Sequence, residues 1–208
     1  MILALDAAGD GCLAAAVVGG AVLASRHADG TRGNLATLPA MAQAVLQAAA
    51  LQEPGRPLRM VAVTIGPGSF TGIRAAISLA HGIALAAGVP AVGVTVGEAL
   101  DELLPGRAHW TASDSRRGRV FLDRAGLVEA VTLDALPEPP GPIALSGDAA
   151  AAVAKRLTER GADVLLRDAP WPDGPGIAAA ALRRVAAGPD ARPVQPLYVD
   201  PPEAKPPG

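Results

Sequence analysis

Apolar residues recur along this chain with two different periods, and the changes from one to the other mark the predicted elements. A short apolar run, Ile2-Leu3-Ala4-Leu5, ends at Asp6 and is followed by the turn Ala7-Ala8-Gly9-Asp10-Gly11. Cys12–Val18 and Ala21–Arg26 flank Gly19-Gly20, a pair suited to a two-residue hairpin, so the chain opens with three strands. After the loop Thr31-Arg32-Gly33-Asn34, residues Leu35, Leu38, Ala42, Val45, Leu46 and Ala49 fall at helical spacing. They predict a helix over Leu35–Leu51, stopped by Glu53-Pro54-Gly55-Arg56-Pro57. Met60–Ile65 is β-branched and unbroken, the pattern of a buried strand; Thr71–Ala87 is free of proline and reads as a helix; Ala91–Val94 is a strand after Pro90. The first half is therefore β-β-β-α-β-α-β, a mixed sheet with helices packed on it.

The second half has shorter periods. Val96–Leu104 reads as a short helix and His109–Ser113 as a strand ending in Asp114. The basic turn Ser115-Arg116-Arg117-Gly118-Arg119 leads into a hairpin of Val120–Arg124 and Leu127–Leu133 around Ala125-Gly126. Leu136–Pro142 is a proline-rich linker; Ile143–Leu145 and Val164–Leu166 are strands; Ala149–Arg160 and Gly176–Ala187 are helices. Pro189–Gly208 reads as an extended, proline-rich tail with a disordered far end. No internal repeat stands out, although strand–Asp–turn occurs in both halves. The organisation read from this is an N-terminal lobe over 1–95, a smaller lobe over 96–188 and a tail over 189–208.

Composition narrows the picture. The 208 residues suffice for one substantial domain or two small lobes. Half are hydrophobic but only 2% aromatic, so the core must be built from Ala, Val, Leu and Ile with close backbone contacts. The net charge of −2 is scattered, and no basic patch supports tight nucleic-acid binding by this chain alone. Few aromatic side chains are available as stacking platforms, so RNA contact would fall mainly to a partner. Cys12 is the single cysteine, which excludes an intrachain disulfide, suits a small buried strand position and fits a reducing, cytoplasmic setting. Ala75–Gly97 carries no Lys, Arg, Asp or Glu over the length of a membrane span, but Gly88-Val89-Pro90 divides it into helix, turn and strand, which reads as core. Because the chain opens directly on a strand, no leader segment is expected.

Two stretches carry candidate chemistry. Gly66-Pro67-Gly68-Ser69-Phe70-Thr71-Gly72 joins a strand to a helix, and Ser69 or Thr71 can cap that helix. The loop is either an anion cradle using Gly66, Gly68, Ser69 and Thr71 or a turn that binds nothing. Asp6, at the end of the first strand, and Asp114 could organise Mg²⁺ beside it; the alternative for Asp6 is a local Asx cap. The following helix has one apolar stripe, Ile73, Ile77, Ala80 and Ala84, suited to the sheet. A second stripe, Gly72, Ala75, Ala76, Leu79, Gly82, Ile83 and Ala86, is mostly small and needs a cover, either the helix Leu35–Leu51 or another protein. His27, His81 and His109 lie far apart without a second His at i+4, so no metal set is predicted, and His81 reads as a packed, hydrogen-bonded residue. No Ser-His-Asp or Cys-His set is suggested, and no catalytic residue is assigned.

Taken together, several stretches resemble the TsaB (YeaZ-type) family: Ile2-Leu3-Ala4-Leu5-Asp6, Leu38-Pro39, the Gly66–Arg74 string, Gly88-Val89-Pro90, Asp114-Ser115-Arg116-Arg117-Gly118-Arg119-Val120-Phe121 and Gln195-Pro196-Leu197-Tyr198. The chain departs from the family pattern at Ala7, which replaces a hydroxyl residue after Asp6, around Gly33-Asn34, at Asp200 and in its short second lobe. The resemblance implies two actin-like lobes (ASKHA, RNase H-like) with mixed sheets flanked by helices, the second reduced. It also implies a non-catalytic subunit of N6-threonylcarbamoyladenosine (t6A) modification of tRNA, paired with a TsaD-like transferase paralogue and served by a TsaE-like ATPase subunit. On that reading ATP, Mg²⁺ and metal belong to the partner subunits and tRNA is met mainly through the complex. The second stripe is then the partner-binding face, used for a homodimer when the partner is absent. The alternative is a stand-alone nucleotide-dependent kinase or ATPase of the same superfamily using Asp6, Asp114 and the glycine loop. Ala7 and the reduced second lobe count against it.

Overall fold

The computed structural model describes residues 1–30, 34–101, 106–115, 117–124, 126–188 and 193–199, without the side chains of Asn34 and Leu35. The Thr31-Arg32-Gly33 part of the first loop, residues 102–104 of the Val96–Leu104 helix, Arg116, Ala125, Asp200 and the far tail lie outside the described residues.

Five strands, β1 (Ile2–Asp6), β2 (Gly11–Val18), β3 (Ala21–Asp29), β4 (Met60–Thr64) and β5 (Ala91–Val94), form the first sheet in the order β3-β2-β1-β4-β5. The β1–β2–β3 meander is antiparallel, and β4 and β5 add to it in parallel. β1 and β4 are apolar at every position but their last because both faces are covered. Leu3, Leu5, Val61 and Val63 point to one core, Ile2, Ala4, Met60 and Ala62 to another. The first core lies under α1 (Leu38–Gln52) and α2 (Phe70–Ala87), through Leu38, Ala42, Val45 and Ala49 of α1 and the predicted stripe Ile73, Ile77, Ala80 and Ala84 of α2. The α1 helix starts three residues later than the spacing predicts, since Asn34–Thr37 is a 3₁₀ turn and Pro39 occupies the first α-helical turn.

The second sheet runs β10-β9-β6-β7-β8, from β6 (Ala108–Asp114), β7 (Val120–Arg124), β8 (Leu127–Val131), β9 (Ile143–Ser146) and β10 (Val164–Leu166). Again a three-strand antiparallel meander is extended by two parallel strands, so the sheets share one topology that the sequence does not betray as a repeat. The reduction is specific: where the first unit has α1 between its third and fourth strands, the second has only the 3₁₀ turn Leu133–Ala135 and the proline-rich segment. The helix α4 (Ala150–Glu159) closes this core through Ala150, Val153, Ala154 and Leu157 against Trp110, Leu122, Ile143 and Leu145.

Two helices tie the sheets together. The short α3 (Val96–Leu100) is held by a Thr95–Glu98 capping box and packs against α5 (Gly174–Ala186). Arg183 Nη2 donates to the Glu98 carbonyl at 2.7 Å, and Arg184 Nε to Glu98 Oε2 at 3.1 Å. Although α5 lies within 96–188, its Ile177, Ala178, Ala180 and Ala181 pack on the first sheet, forming the second core of that lobe. Residues 193–199 likewise return to the first lobe: the Leu197 N–H donates to the Ile65 carbonyl at 2.8 Å, and Val194 and Leu197 pack on the α2-side core.

Candidate functional site

The glycine loop begins with a cis Gly66-Pro67 bond and positive φ at Gly66 (113°) and Gly68 (153°), backbone that glycine alone adopts easily. Ser69 is the helix cap, its Oγ accepting from the Gly72 N–H at 3.2 Å, while Thr71 lies exposed in the first turn. The cradle is filled by the chain itself. The Ser69 N–H donates to the Ala8 carbonyl at 2.7 Å, a Cβ at Gly68 would overlap that carbonyl, and a Cβ at Gly72 would overlap the carbonyl oxygen of Ala7. The β1–β2 turn is thus pressed into the start of α2, and the ring of Trp171 lies so close to Gly9 that a side chain there would strike it.

Asp6 is buried beneath this contact at 5% exposure. Its Oδ1 accepts from the Thr64 hydroxyl and from the Ala8 N–H two residues on (3.2 Å), the local turn that an Asp at a strand end makes. Burial pushes its carboxyl above the ordinary range, against the opposing pull of the Thr64 and Ala8 hydrogen bonds and of the nearby His27. Asp114 ends β6 as Asp6 ends β1, but it is exposed, with its own N–H donating to Asp148 Oδ1 at 2.9 Å. Asp6 and Asp114 are therefore equivalent in topology and opposite in environment. Among the described residues no group of three or more His, Cys, Asp or Glu could hold a metal ion. Cys12 is buried, as its strand position predicts, beside the Met41 sulfur (3.7 Å), and burial raises its thiol.

The second candidate surface divides along α2. Gly72 and Ala76 are buried within this chain, so both leave the predicted partner face and join the core. Ala75, Leu79 and Ile83 are half-buried, and Gly82 and Ala86 exposed, with open space where a Gly82 Cβ would lie. Leu85 beside them is 86% exposed. The helix is long and apolar enough to cross a membrane, yet one side of it packs on the sheet and it ends at Gly88 in a left-handed cap (φ 64°). The apolar face is real; the core takes its one side, and α1 does not close the rest. His81, expected to be packed and hydrogen-bonded, is exposed rather than packed but does make the hydrogen bond, with Nε2 3.0 Å from the Val194 carbonyl oxygen of the returning tail.

One constellation was invisible in the sequence. His109 Nε2 lies 2.8 Å from Ser146 Oγ, and Nδ1 lies 3.4 Å from Asp101 Oδ1, a Ser-His-Asp order drawn from β9, β6 and the end of α3. Ser146 is completely buried, so no substrate reaches its hydroxyl. It belongs to a polar layer on the face of the second sheet away from α4, with Thr111, Ser113 and Asp123, the last bonded by Thr95 Oγ1 at 3.0 Å. Only the pairing of β6 with β9 brings these residues together, and no local spacing announces it.

Two linked sheets of like topology, each a meander extended by parallel strands and joined by crossing helices, define the actin-like and sugar-kinase-like class. Solved structures agree: the ROK hexokinase from Thermus thermophilus aligns over 87% of this chain and 97% of its own, at 15% identity and TM-score 0.50. Nearer in shape are YeaZ from Pseudomonas aeruginosa (23% identity, TM-score 0.73, 95% of this chain and 98% of that one) and a protein described as similar to peptidase YeaZ from Pseudomonas aeruginosa (22%, 0.75, 96% and 99%). Residues 30–103, from the end of the first meander through α3, match the family described as TsaD, tRNA N6-adenosine threonylcarbamoyltransferase. No curated protein sequence matches the chain. The likeness to the YeaZ-type (TsaB) family drawn from the motifs thus extends to nearly the whole fold.

Proposed function

We propose that this chain is a non-catalytic subunit for t6A modification of tRNA, which docks a TsaD-like transferase through the uncovered flank of α2 and activates it. The observation that carries this reading is the division of labour on that helix. At its N-terminus the Ala7–Ala8 turn takes the Ser69 N–H and abuts Gly72, while Ala75, Leu79 and Ile83 are only half-buried and Gly82 and Ala86 exposed, an apolar flank that this chain covers incompletely. Small side chains let a second helix approach closely, and burying such a flank is favourable by about 25 cal/mol per Å². The likeness to YeaZ-type folds and to the TsaD family model supports the same reading. In it the protein is cytoplasmic, a TsaE-like subunit supplies ATP turnover, and tRNA is met through the complex. A stand-alone kinase would need phosphate where the Ala7 and Ala8 carbonyls now sit.

The test is reconstitution. Unmodified tRNA, threonylcarbamoyl-adenylate, the TsaD-like and TsaE-like proteins and ATP are combined with and without this chain, and t6A is counted by nucleoside chromatography. Modification that requires the chain, with no ATP hydrolysis by the chain alone, is the expected outcome. Equal modification without it would end the proposal.

A further inference from the structure

The chain contains one Tyr and two Phe, and it sets Tyr198 and Phe70 side by side on the surface. Their ring centroids are 5.9 Å apart, with Phe70 58% and Tyr198 53% exposed. The guanidinium of Arg74 lies 3.8 Å over the Phe70 ring, and its Nε and Nη2 donate to Tyr198 Oη at 2.8 and 2.6 Å. Its Nη1 makes no hydrogen bond among the described residues, and no described carboxylate pairs with it. Neither α2 nor its flanking strands β4 and β5 carry an Asp or Glu, although Asp200 follows Tyr198 by two residues in the sequence. By helical position Phe70 and Arg74 face the tail, well around the helix from Ala75, Leu79, Gly82 and Ala86.

We propose that Phe70, Arg74 and Tyr198 form a stacking site for a nucleotide of single-stranded RNA. A base lies on the exposed ring surface, and its phosphate meets the free edge of Arg74. Flat rings with an unneutralised guanidinium match a nucleotide in both shape and charge, and stacking tolerates any base. An apolar protein partner would match the aliphatic flank of α2 instead. The proposal rests on the tRNA-modification reading for the source of the RNA, and it gives this chain an RNA contact that its composition alone argued against.

The probe is a fluorescein-labelled nine-adenosine RNA, titrated by anisotropy with the full chain and with Phe70→Leu, Arg74→Ala, Tyr198→Phe and Tyr198→Ala. Phe70→Leu and Tyr198→Ala should each weaken binding by about tenfold, whereas Tyr198→Phe, which keeps the ring, should bind within about twofold. Arg74→Ala should also reduce the salt slope by about 0.7, the signature of one single-strand phosphate. Circular dichroism confirms that each variant is folded. Absence of RNA binding up to millimolar chain, or equal binding by Phe70→Leu and Arg74→Ala, overturns the site. Complex formation with the TsaD-like protein is measured on the same variants. If they lose that complex while keeping RNA affinity, the cluster is a protein contact and the inference fails with the scaffold reading intact. If the parent chain forms no complex yet shows the ring dependence, the scaffold reading fails alone.

Discussion

Gly82→Arg should make this protein more stable and less able to assemble. Gly82 lies inside α2, exposed, with nothing within 4 Å of the position a Cβ would take. Glycine in a helix interior costs about 1 kcal/mol relative to alanine, and arginine nearly matches alanine. The free chain should therefore gain roughly 0.7 kcal/mol, a rise in Tm of about 1–3 °C for a domain of this size. In the proposed complex the same side chain would put an unpaired cation at the centre of an apolar contact. That costs about 3 kcal/mol or more, so affinity for the TsaD-like partner should fall more than 100-fold. The assay pairs differential scanning calorimetry of the free chain with titration calorimetry of the complex. Opposite signs in the two measurements separate an interface from a fold defect. Ala76→Glu cannot serve, because Ala76 is fully buried and a carboxylate there would unfold the first core. Parent-like affinity of Gly82→Arg would refute the assignment of this flank, and a loss of stability would refute its exposure.

The filled glycine loop and the polar layer have consequences of their own. Gly72→Ala places a methyl against the Ala7 carbonyl and should destabilise the fold by about 2 kcal/mol or more, read as a lower urea midpoint; an unchanged midpoint would mean that the turn is not seated there. Burial holds Asp6 above its unfolded pKa, so the folded chain binds that proton more tightly than the unfolded one. The stability this supplies is complete below a pH of about 4 and is lost as pH rises through the folded pKa. Asp6→Asn keeps an Oδ1 acceptor for Thr64 and Ala8 and should flatten the decline; urea unfolding between pH of about 4 and 8 checks this, and a steeper decline contradicts it. Ser146 should resist fluorophosphonate labelling in the folded chain, and Ser146→Ala should cost about 1 kcal/mol through loss of its hydrogen bond with His109. Labelling at the rate of an active hydrolase would show that the site opens.

Local pattern carried the strands, the hairpin at Gly19-Gly20 and the sheet-facing stripe of α2, because period and turn chemistry are properties of neighbours in sequence. Ser69 as the α2 cap was legible for the same reason. The limits of pattern lie elsewhere. Gly72 and Ala76 share a helical stripe with Ala75 and Leu79, but the Ala7 carbonyl closes over Gly72, and Ala76 lies next to the sheet-facing Ala80 around the helix. The plugging of the glycine loop depends on two backbone carbonyls, which have no side-chain signature. The meeting of Ser146, His109 and Asp101 depends on parallel pairing across a long crossover, and the return of Leu197 and Tyr198 to Ile65 and Arg74 spans more than half the chain. The equivalence of the two sheets is topological, conserved in strand order while α1 has no counterpart in the second unit.

On the proposed function, α2 is a docking helix whose partner is a TsaD-like transferase. Size-exclusion chromatography with light scattering, on the chain alone and mixed with that protein, tests it most directly. A 1:1 complex that forms with the parent chain and is lost with Gly82→Arg is the predicted result. Two separate peaks at all ratios, or a complex that Gly82→Arg leaves intact, would contradict the account.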